Sequence, residues 1–86
     1  MNERKEHVDR LMMNRIGQRI KQARRTRELS QTDLAAAFSL NQSRVTEWES
    51  GKYSPHISLL PRLAAILGVS IDYFFKEENM DSPTIS

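Results

Sequence analysis

QTDLAAAFSLNQSRVTEWES, residues 31–50, is the segment around which the rest of the chain is organised. It reads as two short helices with a joint of three or four residues near Ser39–Asn41. Leu34, Ala35, Phe38, Leu40, Val45 and Trp48 recur at spacings that let all of them point to one interior. The second helix is left with an outer face of Gln, Ser, Thr and Glu and a flanking Arg. Such side chains can hydrogen-bond base edges in a DNA groove.

Helical phase sharpens this. At about 100° per residue, setting Val45 at 0° puts Trp48 near −60°, so the buried direction is about −30°. Ser43, Glu47 and Ser50 then fall within roughly 50° of the opposite direction, with Thr46 beside them and Gln42 and Arg44 flanking the first turn. Trp48 points inward and belongs to the core rather than to a stacking platform. Glu49 lies about 70° from the buried direction, half inside. The preceding helix, expected over Arg15 to Arg27, turns Ile16, Ile20 and Ala23 inward and carries Arg24 on the edge of that stripe. Arg15, Arg19, Lys21 and Arg25 are expected on its surface. Two half-buried opposite charges satisfy each other most cheaply, so an Arg24–Glu49 ion pair is predicted.

The punctuation around these helices is consistent. Ser30, with Asp33 three residues on, makes a capping box for the helix Gln31 to Phe38. Asn41 caps the next helix, which runs to about Glu49, and Gly51 can take the left-handed conformation that ends it. Tyr53 to His56 is a loop. With Ser58 as N-cap, Pro61 falls at the third helical position, where its missing N–H breaks no bond, giving a fourth helix Leu59 to Leu67 stopped by Gly68. Ser70 caps a last short helix, Ile71 to Phe75. The domain is placed at residues 14–76, with Asn14 as the first cap. Residues 77–86 form a flexible tail. Residues 1–13 form an N-terminal extension in which Val8, Leu11 and Met12 suit a turn or two of helix, separate or fused to the next.

Eighty-six residues without cysteine make one small domain with neither disulfides nor thiolate metal sites, which fits a reducing cytosol. No apolar run approaches the roughly 18 residues that span a bilayer. The net charge of +2 is polarised: residues 14–55 carry +4, residues 56–86 carry −2, and residues 1–13 are neutral. A polyanion approached from one side would leave that footprint, and so would a solvated surface of helical Arg and Lys. His7 and His56 have no ligand-like companions, so no metal site is expected. No nucleophile elbow or triad pattern surrounds any Ser, and no paired carboxylates stand at useful spacing, so the chain is not read as an enzyme.

IGQRIKQAR at 16–24, LSQTDLA at 29–35, the run from Val45 through WESGK at 48–52, and LPRLAAILGVSIDYFF at 60–75 resemble the helix-turn-helix domain of the lambdoid phage repressor and Cro (XRE) family. The resemblance implies an all-α, compact five-helix domain that binds double-stranded DNA, usually as a homodimer on a near-palindromic operator. It implies base contacts from Gln42, Ser43, Thr46 and Glu47, and backbone contacts from Gln31, Arg44, Lys52, Tyr53 and Ser54. It also places a buried ion pair at Arg24 and Glu49. No cofactor is implied, and the setting is a cytoplasmic protein, bacterial or phage-encoded.

Two departures stand out. The turn position usually filled by glycine is Ser39, where a left-handed backbone costs roughly 1 kcal/mol unless the turn differs. Glu47 puts a carboxylate on the reading face, where it accepts from a cytosine amine or repels phosphate. Tyr53 contacts the backbone through its hydroxyl or merely packs the loop. Tyr73, Phe74 and Phe75, with Ile71, are more apolar than one terminal helix can hide; half of that surface is expected to complete the core and the rest to meet a second subunit, which suggests a dimer interface. The function expected is a sequence-specific transcriptional regulator, a repressor. An antitoxin with a toxin partner, a restriction–modification controller, and a helical protein–protein adaptor without DNA binding remain alternatives on the same fold.

Overall fold

The computed structural model describes the backbone of residues 2–76 and the side chains of residues 10–76. The expected tail, 77–86, lies outside the described residues, as do the side chains of His7 and Val8. Among the described residues four α-helices run in the order α1 (Asn2–Thr26), α2 (Gln31–Ala37), α3 (Gln42–Ser50) and α4 (Leu60–Leu67). A 3-10 turn (Ile57–Leu59) precedes α4, and a second 3-10 segment (Ile71–Phe75) follows it. The architecture is all-α, but the fifth helix of the expectation is this 3-10 segment.

The first helix takes the fused form of the two expected for residues 1–13: it runs unbroken from Asn2, and Asn14 does not cap it. Glu, Arg, Lys, Leu and Met are good helix formers, and neither Gly nor Pro interrupts the chain before Gly17, so one Asn in mid-helix costs too little to stop it. Asn14 instead lies against Gly51, where a Cβ would collide with its side chain.

Ile16, Ile20 and Ala23 of α1 meet Leu34 and Ala35 of α2, Val45 and Trp48 of α3, and Leu60, Leu63, Ala64 and Leu67 of α4 in one core, closed by Phe74. Phe38 packs edge-on against Trp48, ring centroids 6.0 Å apart. Gly17 lets α1 cross the end of α3 backbone to backbone: a Cβ there would stand 2.9 Å from the Glu49 carbonyl oxygen and closer still to that of Trp48.

All four helices end the same way. In each, a residue one or two places past the helix turns left-handed while the next N–H reaches back five residues: Leu29 to Arg24, Leu40 to Ala35, Lys52 to Glu47, and Val69 to Ala64. At α3 and α4 the left-handed residue is a glycine, Gly51 (φ 82°) and Gly68 (φ 74°). At α1 and α2 it is Glu28 (φ 59°) and Ser39 (φ 57°). The turn inside residues 31–50 therefore keeps the left-handed geometry and carries its strain on a serine.

The start of α4 also departs from expectation. Ser58 does not cap it. Pro61 stands in its first turn, and the turn ahead of it is capped by His56, whose Nδ1 accepts from the Ser58 N–H at 3.1 Å. Arg19, expected on the surface, is buried: its guanidinium lies 5.0 Å from the Tyr73 ring centroid and its Nε donates to the Lys76 carbonyl at 3.1 Å. The stem covers apolar surface while the head finds a ring and a carbonyl.

Candidate nucleic-acid interface

Ser30 starts α2 with a reciprocal cap. Its hydroxyl accepts from the Asp33 N–H at 2.9 Å, and its own N–H donates to the Asp33 carboxylate at 3.0 Å. Hydrogen bonding of the carboxylate by the Ser30 backbone N–H first, and by its side chain second, holds the Asp33 carboxyl below its ordinary 3.8. The cap places Gln31 at the first position of α2, facing α3.

A chain of polar contacts runs from the core outward through Gln31. Arg24 donates from Nε to Glu49 Oε2 at 2.6 Å and from Nη2 to Glu49 Oε1 at 3.1 Å, and its Nη1 donates to the Leu29 carbonyl at 2.8 Å. The hydrogen bond to Glu49 outweighs desolvation and raises the Arg24 pKa, so the guanidinium stays charged although buried. Gln31 Nε2 donates to Glu49 Oε1 at 3.0 Å. Gln31 Oε1 accepts from Gln42 Nε2 at 3.1 Å and from the Thr46 hydroxyl at 2.9 Å. A buried ion pair thus sets the posture of two side chains on the outer face of α3.

On that face Gln42, Ser43, Arg44 and Thr46 are exposed and Glu47 is half-buried. Arg44 Nε stands 3.6 Å from Glu47 Oε1 one helical turn on, so the carboxylate does not face outward as a lone negative charge. Asn41 occupies the N-cap position of α3 in extended conformation, but its side chain makes no capping bond.

Beyond α3, the Lys52 ammonium lies 5.7 Å from the ring centroid of Tyr53, which is 54% exposed, and Ser54 is exposed beside it. A cleft of about 550 Å³ opens here, lined by Arg44, Glu47, Trp48, Tyr53, Ser54, His56 and Leu59. Gln31, Gln42, Thr46 and, through Gln31, Glu49 and Arg24 therefore form one connected group. Arg44, Glu47, Tyr53 and Ser54 gather at the cleft, while Ser43 belongs to neither set of contacts.

Phe74 is 0% exposed and fills the core, so it is withdrawn from the expected dimer surface. It is the buried residue of the 3-10 segment 71–75. Tyr73 is half-buried, donating its hydroxyl to Gln22 Oε1 at 3.2 Å, and Phe75 is 38% exposed.

Arg62 was not singled out by the sequence. It donates to the Ala37 carbonyl at 3.0 Å and lies 5.2 Å from the Phe38 ring centroid, bracing the turn between α2 and α3 from α4. Its position next to Pro61 on an exposed face carries no local signal of that reach. Among the described residues no His/Asp/Glu group could hold a metal ion, and no helix is long and apolar enough to cross a membrane.

The helix-turn-helix family profile matches residues 20–74. The immunity repressor protein of Bacillus phage phi105 is 35% identical over 65 residues, which is 76% of this chain and 45% of that protein. The HTH-type transcriptional regulator PuuR of Escherichia coli is 36% identical over 70 residues, 80% of this chain and 38% of that regulator. An SPbeta prophage-derived uncharacterised HTH-type regulator, YonR of Bacillus subtilis, is 33% identical over 61 residues, 71% of this chain and 56% of its own length. The matches therefore span only 38%, 45% and 56% of these three relatives. No solved structure matches the chain. With a four-helix core built around α2 and α3 and a family match across most of it, the chain belongs to the XRE/Cro-type helix-turn-helix family.

Proposed function

We propose that this protein is a repressor that binds a near-palindromic operator as a homodimer, with α3 of each subunit in the major groove. The carrying observation is the tie from buried Arg24–Glu49 through Gln31 to Gln42 and Thr46. Side chains held by a second layer of contacts read base edges with less loss of rotamer freedom than free ones. In this reading Gln42, Ser43, Thr46 and Glu47 meet bases, and Gln31, Arg44, Lys52, Tyr53 and Ser54 meet the sugar–phosphate backbone. The DNA-binding unit is residues 14–76, and Tyr73 and Phe75 contribute to the subunit contact. The name of the phi105 relative, an immunity repressor, supports repression over activation.

Salt dependence of binding tests the backbone assignments. Arg44→Ala should weaken all sequences and reduce the slope of log affinity against log salt by about 1. An unchanged slope removes Arg44 from the phosphate contacts. No measurable affinity for any duplex at low salt removes the whole reading in favour of a protein–protein adaptor.

A further inference from the structure

Lys76 is fixed to the side of α1, its carbonyl accepting from Arg19 Nε at 3.1 Å. Three residues earlier the Tyr73 hydroxyl donates to Gln22 Oε1 at 3.2 Å, about one turn nearer the end of the same helix. Past Lys76 the chain is therefore heading along α1 toward its start, antiparallel to it. The helix face in that direction is half apolar and half basic. At about 100° per residue, Arg19, Arg15, Met12 and Leu11 fall within roughly 100° of one another. Met12 packs against the core, Arg15 is half-buried, and Leu11 is 50% exposed. Residues 10–27 hold seven Lys and Arg and no Asp or Glu.

We propose that this face of α1 is the docking surface for the chain's own residues 77–86, laid antiparallel to the helix with Glu78 at Arg15 and Met80 at Leu11 and Met12. The segment carries Glu77, Glu78 and Asp81 and no basic residue, so its charge is opposite to that of the helix it meets. The lengths agree as well. An extended chain advances about 3.3 Å per residue and a helix about 1.5 Å. Glu78 stands about 6.6 Å beyond Lys76, and Arg15 about 6 Å before Arg19. Met80 stands about 13 Å beyond Lys76, and Leu11 about 12 Å before Arg19. From one fixed point, a carboxylate thus reaches a guanidinium and a thioether reaches the exposed leucine. A tethered segment meets its site at an effective concentration in the millimolar range, so contacts too weak to hold a free peptide suffice. Docking replaces the free tail expected from composition, and it is independent of whether α3 binds DNA.

The chain has no cysteine, so Ser82→Cys carries a single nitroxide spin label on an otherwise unchanged full-length protein. In the isotope-labelled protein the nitroxide should weaken the amide NMR signals of Leu11, Met12 and Arg15, and reducing it should restore them. Glu77→Gln, Glu78→Gln and Asp81→Asn together keep the shapes and remove the charges. In that variant the weakening should be lost, as it should at about 1 M salt, where charges act over only about 3 Å. No weakening of these signals in the wild-type sequence overturns the proposal. Weakening that survives both the triple substitution and the salt also overturns it, because it would report a tethered chain passing by rather than one bound through its charges. A mixture of isotope-labelled protein and separately spin-labelled protein should show no weakening. Weakening there would assign the face to a second copy of the chain and overturn the intramolecular site.

Discussion

Gln31 Nε2 donates to Glu49 Oε1 at 3.0 Å, and that bond orients a whole amide. A carboxylate can only accept, so Gln31 must turn its nitrogen inward and its oxygen toward α3, where Gln42 and Thr46 donate to it. The Thr46 hydroxyl proton is thereby engaged, leaving its methyl group and a lone pair for a base. Gln31→Ala should therefore change stability by no more than about 1 kcal/mol while lowering operator affinity on the order of tenfold, because two reading side chains lose their anchor. Urea unfolding and a binding titration on the same variant check both halves.

Glu49 has more at stake. Removing it leaves the buried Arg24 guanidinium without its carboxylate, and breaking a buried pair from one side costs about 3–5 kcal/mol. Small domains hold only about 5–15 kcal/mol in total, so Glu49→Ala should lose a large part of the protein's stability and unfold at a much lower urea concentration. A Glu49→Ala protein with a near-native urea midpoint would show that water reaches Arg24 and that the pair is not structural.

Ser39 holds a left-handed backbone in the turn between α2 and α3. A residue with a Cβ pays about 1–2 kcal/mol there, and glycine loses part of that advantage through its freer unfolded chain. Ser39→Gly should gain about 0.5–1 kcal/mol without altering DNA affinity, since Ser39 makes no contact assigned to DNA. Thermal unfolding and a parallel titration measure the two.

Asp33 gives the pH prediction. Its folded-state pKa lies below the ordinary 3.8 because the Ser30 N–H and hydroxyl bond the carboxylate. The cap's contribution is fully present above that ordinary value and is lost as pH falls through the depressed folded one. An NMR titration should show the Asp33 carboxyl more than half ionised at pH 3.8, where a free one is half protonated. Replacing Ser30 by Ala should move the midpoint up toward the ordinary value.

Much of the fold was legible because a few residues carry strong local physics. The spacing of Ile16, Ile20 and Ala23, and of Val45 and Trp48, points each helix inward, and Gly51 and Gly68 mark two helix ends by their freedom to turn left-handed. Glu28 ends α1 by the same geometry with no such mark, since a left-handed glutamate is visible only in three dimensions. Phase also put Ser43, Thr46 and Glu47 on one face of α3. It could not show that Thr46 is tied to Gln31 or that Arg44 closes on Glu47, because those depend on where α2 and neighbouring rotamers lie. Arg19, Arg62 and Phe74 were missed or misplaced for one reason. Each is decided by α4 or by the 3-10 segment after it, elements packed from a distance in sequence.

Base reading by α3, from a face held by Gln31, is put to the test by selecting bound duplexes from a random pool with the wild-type protein and with Ser43→Ala and Thr46→Ala. The wild-type protein should enrich a near-palindrome whose half-sites lie about 34 Å apart along the helix axis or a multiple of it. Each alanine variant should relax preference at one symmetry-related base pair, by about 1–3 kcal/mol of discrimination. An identical enriched sequence from all three proteins, or no enriched sequence from the wild type, would contradict it.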